Sequence, residues 1–250
     1  MARTARIVIP GEPHHITQRG NNKQNVFLSN QDRTAYLRFL KEESNRHGLH
    51  IVGFCLMRNH IHIVGIPSEA ESLQKAIGRT HFRYTQIFNR LHNRSGHLWQ
   101  NRYLSCAMDE THFMYTLRYV EQNPVRAGLE KRPWDYPWSS AKAHIGEIDP
   151  SGLLDLSWWK SIQDSVEWKQ ILMEGLPENV PIAATVQNLV KMASLMDGNP
   201  VPSAIFAKIP RFLCNLHYFC TSPKPENAIL RIFARIYRIG PLNSNPLSLV

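Results

Sequence analysis

Polar and apolar residues alternate loosely from His14 to Arg19, the period of a half-buried strand. Ser29 or Asn30 can cap a helix that runs to about Arg46, with Tyr36, Leu37 and Leu40 on its apolar stripe and Gly48 as its stop. Leu49 to Met57 is almost wholly apolar and branched, which predicts a central strand. Arg58 and Asn59 break the run, and His60 to Ile66 predicts an antiparallel partner that ends at Pro67. Ser68 to Leu91 carries Leu73, Ile77, Tyr84, Ile87, Phe88 and Leu91 at three- and four-residue steps, so a long helix is expected. Asn93 to Gly96 reads as a turn, and Leu98 to Ala107 as an aromatic, extended segment. Asp109 caps a further helix from Glu110 to about Gln122, with Pro124 just past its end. Trp134 to Ser140 is expected to fold back over the core.

Strand, helix, hairpin, helix, strand, helix is an α+β order, and a ferredoxin-like antiparallel sheet with packed helices fits it. A boundary is expected near residue 149, with residues 1–149 as the working domain and 150–250 as a C-terminal extension. Leu156 to Met173 reads as helical. From about Gly175 prolines and asparagines are frequent, which predicts a helical appendage or a partly disordered tail.

Composition narrows the function. Apolar content of 43% and charged content of 20% suit a globular protein. No apolar run reaches membrane-spanning length, and Met1 to Pro13 is basic without a signal-like stretch, so a cytoplasmic setting is expected. None of the 4 cysteines forms a C-x-x-C pair, which argues against a zinc knuckle. The net charge of +9 favours an acidic partner, and nucleic acid is the commonest. No acidic residue lies between Glu71 and Asp109. That gap holds Lys75, Arg79, Arg83, Arg90, Arg94 and Arg102, an expected phosphate-binding surface. Lys75, Arg79 and Arg83 share one helix face, and Trp99 and Tyr103 follow as residues that could stack on unpaired bases or pack a core.

Two groups of residues could carry chemistry. Of the 12 histidines, all but His217 precede residue 150. His60-Ile61-His62 on a strand would point two imidazoles to one face while Ile61 and Ile63 enter the core, and two such nitrogens can share a divalent ion. The commoner fate of such a pair is a plain hydrogen bond or exposure. Tyr119 and Asn123 stand one turn apart on the predicted helix, with Tyr115 one turn earlier competing for the tyrosine's role. A core tyrosine and a turn asparagine are the plainer alternatives.

Six ordered blocks sharpen this picture: Arg6 to Gly11, His14 to Gly20, Met57 to His62, Gly96 to Tyr103, Arg118 to Gly128 and Tyr136 to Ser140. Together they resemble the REP-associated tyrosine transposases, a branch of the single-tyrosine HUH transposases. The resemblance implies an HUH-type fold and a single-stranded DNA endonuclease and strand transferase. It implies His60 and His62 as the metal pair, Tyr119 as the nucleophile and Asn123 in the place of the third ligand. It further implies Mg²⁺ or Mn²⁺ as cofactor, hairpin or single-stranded DNA as partner, and a monomer or homodimer without a nucleotide cofactor. Arg58 stands where the family commonly has proline, and Gln122 where it has an aliphatic residue. Residues beyond about 147 do not follow the pattern. Two other readings remain at this point: a DNA-binding module without catalysis, and a metal-dependent hydrolase of small phosphate esters.

Overall fold

The computed structural model describes residues 7–174. In chain order the elements are β1 (His14–Arg19), α1 (Asn30–His47), β2 (Leu49–Leu56), β3 (His60–Pro67), α2 (Ser72–Leu91), β4 (Leu104–Ala107), α3 (Glu110–Arg126), α4 (Ala141–His144), α5 (Leu156–Ile162) and α6 (Ser165–Met173). The strands form one four-stranded sheet in the order β2-β3-β1-β4, every neighbour antiparallel. This is the ferredoxin-like arrangement: each helical crossover returns the chain two places along the sheet. Among the described residues no helix is long and apolar enough to cross a membrane.

Local chemistry accounts for the boundaries. Ser29 accepts from the Asp32 amide while Asp32 accepts from the Ser29 amide, a capping box at the start of α1. Gly48 ends α1 in the left-handed region at φ 63°, where a side chain is disfavoured. β2 and β3 form the expected hairpin about Arg58 and Asn59. α2 begins at Ser72 rather than Ser68, because Ser68 donates its amide to the Gly48 carbonyl instead of entering a helical turn. Of the predicted extended segment only Leu104–Ala107 is a strand.

α3 departs from expectation at its end. It runs through Pro124 to Arg126 instead of stopping near Gln122. Proline removes one helical hydrogen bond, but Ala127 still donates to Asn123 and Leu129 to Pro124, so the final turn closes.

The two sheet faces are buried differently. On one, Ile16, Phe54, Leu56, Ile61 and Ile63 pack against α1 and α2 through Tyr36, Leu40, Leu73, Ile77 and Tyr84. On the other, Val52, Cys55 and Val64 meet Phe113, Leu117 and Val120 of α3, together with Trp159 and Trp168. The boundary expected near residue 149 therefore does not fall at a gap in packing, since α5 and α6 bring two fully buried indoles into the core that α3 shares with the sheet. The expected tail from about Gly175 lies outside the described residues.

A buried carboxylate ties this second layer together. Glu121 of α3 accepts from Ser140 Oγ and His144 Nδ1, each at 2.5 Å, and from Trp168 Nε1 at 2.8 Å. The 134–140 segment folds back as predicted: Tyr136 donates its hydroxyl to the Leu56 carbonyl and Leu56 donates its amide to Trp138.

Candidate active site

Strand alternation places His60 and His62 on the α3 face, opposite Ile61 and Ile63. Their rings meet edge to face with centroids 5.1 Å apart. The Tyr119 ring, delivered by α3, meets His62 edge-on at 5.6 Å. The sheet and the helix thus bring the two predicted imidazoles and the predicted phenol to one place. Of the two tyrosines in competition, Tyr119 makes this contact. It is half-buried at the margin of the α3 core.

Asn123 lies one turn further along the same face. Its side-chain amide donates to the Tyr119 carbonyl at 2.9 Å, which ties it to its own helix and leaves Oδ1 as the atom a cation could take. His60 Nδ1 lies 2.7 Å from Asn59 Oδ1, and because that oxygen only accepts, His60 carries its proton on Nδ1.

The imidazoles are kept neutral. Burial, and next the nearby Arg19 charge, pull His60 down to about 4. His62 is held well below its ordinary value by burial first, then by His15, His60 and Arg126. Neutral imidazoles retain the lone pair that a cation needs, so the donor set of His60, His62 and Asn123 fits a divalent ion chemically. Among the described residues, no three of His, Cys, Asp and Glu are grouped to hold a metal by themselves.

Three further residues frame the site and were not singled out from sequence. His15 on β1 lies 3.0 Å from His62, Nε2 to Nδ1. Arg19 stands directly across from His60 in the β1–β3 register. The Arg126 guanidinium lies 4.9 Å from the Tyr119 ring centroid. Alternation along β1 could have found the first two, since His15, Thr17 and Arg19 share the face opposite Ile16. Arg126 sits two turns after Tyr119, and it was hidden by the assumption that Pro124 ends the helix.

The predicted DNA-binding residues are less uniform. α2 packs on the Ile61 and Ile63 face, so its basic row lies across the sheet from the His pair and Tyr119. Lys75 pairs with Glu71. Arg83 lies 2.7 Å from both Glu42 and Glu43 of α1. The lack of acids within the 72–108 stretch was therefore no measure of lone charge, because a neighbouring helix supplies them. Arg94 donates to Gln24, and Arg79, Arg90, Arg94 and Arg102 are all exposed. Trp99 and Tyr103, expected as stacking platforms, are buried at 9% and 7% exposure in an aromatic cluster with His81 and Tyr36. The aromatic that does stand among the α2 arginines is Phe82, 56% exposed between Arg79 and Arg83.

Comparison with known proteins finds a likeness over one stretch. No curated protein matches the chain. Among solved structures, a REP-associated tyrosine transposase bound to a REP hairpin is 18% identical, with a TM-score of 0.47 over 66% of this chain and 93% of that one. A putative transposase from Deinococcus radiodurans is 17% identical, with a TM-score of 0.35 over 48% of this chain and 97% of that one. The family model for IS200-like transposases matches residues 13–123, from the start of β1 through His60, His62 and Tyr119 to Asn123.

Proposed function

We propose that this chain is a transposase that nicks and rejoins single-stranded DNA through a covalent 5′-phosphotyrosine on Tyr119, with His60, His62 and the Asn123 amide oxygen holding a divalent ion. The observation that carries this reading is the meeting of Tyr119 with His62, two residues from separate elements, at 5.6 Å between ring centroids. A Mg²⁺ or Mn²⁺ ion bound there would polarise the scissile phosphate and offset its developing charge.

The chain's own residues would do the rest. Tyr119 Oη attacks phosphorus, the bond from phosphorus to the 3′ oxygen breaks, and the leaving oxygen takes up a proton to become a 3′-hydroxyl. Arg19 and Arg126 supply positive charge beside the imidazoles, where a phosphodiester would sit. In the reverse step a 3′-hydroxyl attacks the phosphotyrosine and frees the phenol. Each step exchanges one phosphodiester for another, so no nucleotide cofactor is required. The substrate class implied by the sequence blocks is a hairpin-forming palindrome. Arg79, Arg90 and Arg102 would meet its phosphates, with Phe82 rather than Trp99 or Tyr103 available for a base.

The test is a denaturing-gel assay of protein–DNA adduct on single-stranded hairpin DNA with Mn²⁺. Wild type is expected to form the adduct and Tyr119→Phe to form none. Adduct retained by the Phe variant would remove Tyr119 from the nucleophile's role.

A further inference from the structure

β1 and β3 pair so that Thr17 faces His62 and His15 faces Val64. His15 and His62 are therefore diagonal neighbours on one sheet face, and their rings lie nearly parallel, 14° apart with centroids at 5.2 Å. The short contact runs from His15 Nε2 to His62 Nδ1 at 3.0 Å. At that separation the two ring nitrogens share one proton between them. A neutral imidazole has one N–H and one lone pair, so one ring donates in this contact and the other accepts.

His60 indicates which. Its Nδ1 donates to Asn59 Oδ1, so its lone pair is on Nε2. For the two imidazoles to act on one ion, His62 must also present a lone pair from Nε2, and its proton must then sit on Nδ1. The acceptor for that proton is His15 Nε2. We infer that His15 is the positioning residue of the metal centre: by accepting from His62 Nδ1 it fixes the ring and its tautomer, with the lone pair on Nε2 directed to the cation. This rests on the metal-dependent reading above. Outer partners of this kind orient ligating histidines and raise their basicity. His15 is not itself placed as a third ligand, as no group of three such donors is arranged for an ion among the described residues. Nor is it a core residue by pattern, since β1 buries His14, Ile16 and Gln18 and leaves His15 half-exposed.

Two measurements on the full chain test the assignment. Imidazole ¹⁵N spectra at neutral pH are expected to show His62 protonated on Nδ1 and His15 bare on Nε2. The opposite tautomer of His62 would overturn the inference, and this reading needs no variant. The second measurement counts free Mn²⁺ by electron paramagnetic resonance. His15→Phe, which keeps a flat ring without an acceptor, is expected to bind Mn²⁺ about 10–100-fold more weakly than wild type. His15→Gln, whose side-chain oxygen can replace the acceptor, is expected to bind close to wild type. Full affinity in His15→Phe, or equal losses in both variants, would sink the positioning role. If wild type and a His60→Ala, His62→Ala double variant bound Mn²⁺ alike, the metal reading would fail first, a result distinct from either.

Discussion

Gly53 is where the fold and the site are most tightly coupled. It lies in β2 beside the register shift between Ile51 and Gly53, under α3. A Cβ at this position would sit 2.3 Å from Leu117 Cδ1, with Ser140 Oγ at 3.5 Å and Val64 Cβ at 3.7 Å. Carbon atoms in favourable contact stand about 3.5–4.0 Å apart, so the leucine or its helix must yield by more than about 1 Å. Leu117 is fully buried among Val52, Phe113 and Val120, which leaves it little room to rotate. Two effects of Gly53→Ala then compete. Stiffening the unfolded chain favours alanine by about 0.4–1 kcal/mol. Overpacking of a closed core costs about 1–3 kcal/mol. Overpacking should win, with a net loss of about 1–2 kcal/mol measured by urea denaturation. Function should suffer more than stability does. α3 carries Tyr119, and a displacement of about 1 Å at a reacting group can cost on the order of 10²-fold in rate. Leu117→Ala removes the clashing atom and alone should cost about 2–5 kcal/mol. In the double variant the two losses should fall short of their sum by about 1–3 kcal/mol. A Gly53→Ala protein as stable as wild type, or strictly additive losses with an unchanged adduct rate, would refute the argument.

Other outcomes follow from the same coordinates. Trp99→Ala should cost about 3–5 kcal/mol of stability while leaving the salt dependence of DNA binding unchanged, because its ring packs the core. Arg79→Ala should lower the salt slope of binding by about one unit. Arg83→Ala should leave that slope unchanged and instead lower the denaturation midpoint, since it removes the guanidinium from the buried Glu43 and leaves only the more distant His47 beside it. His81, stacked on Trp99 and bonded to the Tyr36 hydroxyl, is pushed by burial to about 3. Its folded value lies below the unfolded 6.5, so the unfolded chain takes the proton first. Stability is full above about pH 6.5 and falls as the pH drops toward 3. At pH 5 the loss should be about 2 kcal/mol, from about 1.4 kcal/mol per unit. Between pH 7 and pH 5 the His81→Gln protein should lose less stability than wild type by that increment, while the losses from His15, His60 and His62 are common to both.

What could be read from the sequence was what the chain decides locally. The capping box at Ser29, the left-handed Gly48 and the alternation on β1 and β3 each depend on a few adjacent residues, and each lies where the pattern put it. The one-sided His60 and His62 pair was legible for the same reason. What failed depended on neighbours far along the chain. Glu42 and Glu43 reach Arg83 from another helix, and Trp99 finds its place only once Tyr36 and His81 surround it. Nothing near Pro124 announces that the helix will tolerate it; the closing bonds to Asn123 and Pro124 come from residues beyond. Arg126 was lost with that turn, and His15 because its partner sits on a strand that must first be placed beside it.

Glu121 carries a consequence for how such chains are cut and compared. It lies inside the family-matched stretch, yet the serine, histidine and tryptophan that satisfy it all lie beyond residue 123. A fragment trimmed to that stretch would keep His60, His62, Tyr119 and Asn123 but strand a bare carboxylate in an apolar interior, a penalty of several kcal/mol. A piece that keeps Glu121 satisfied therefore extends to α6, so the helix carrying Tyr119 depends for its footing on residues well beyond the matched stretch.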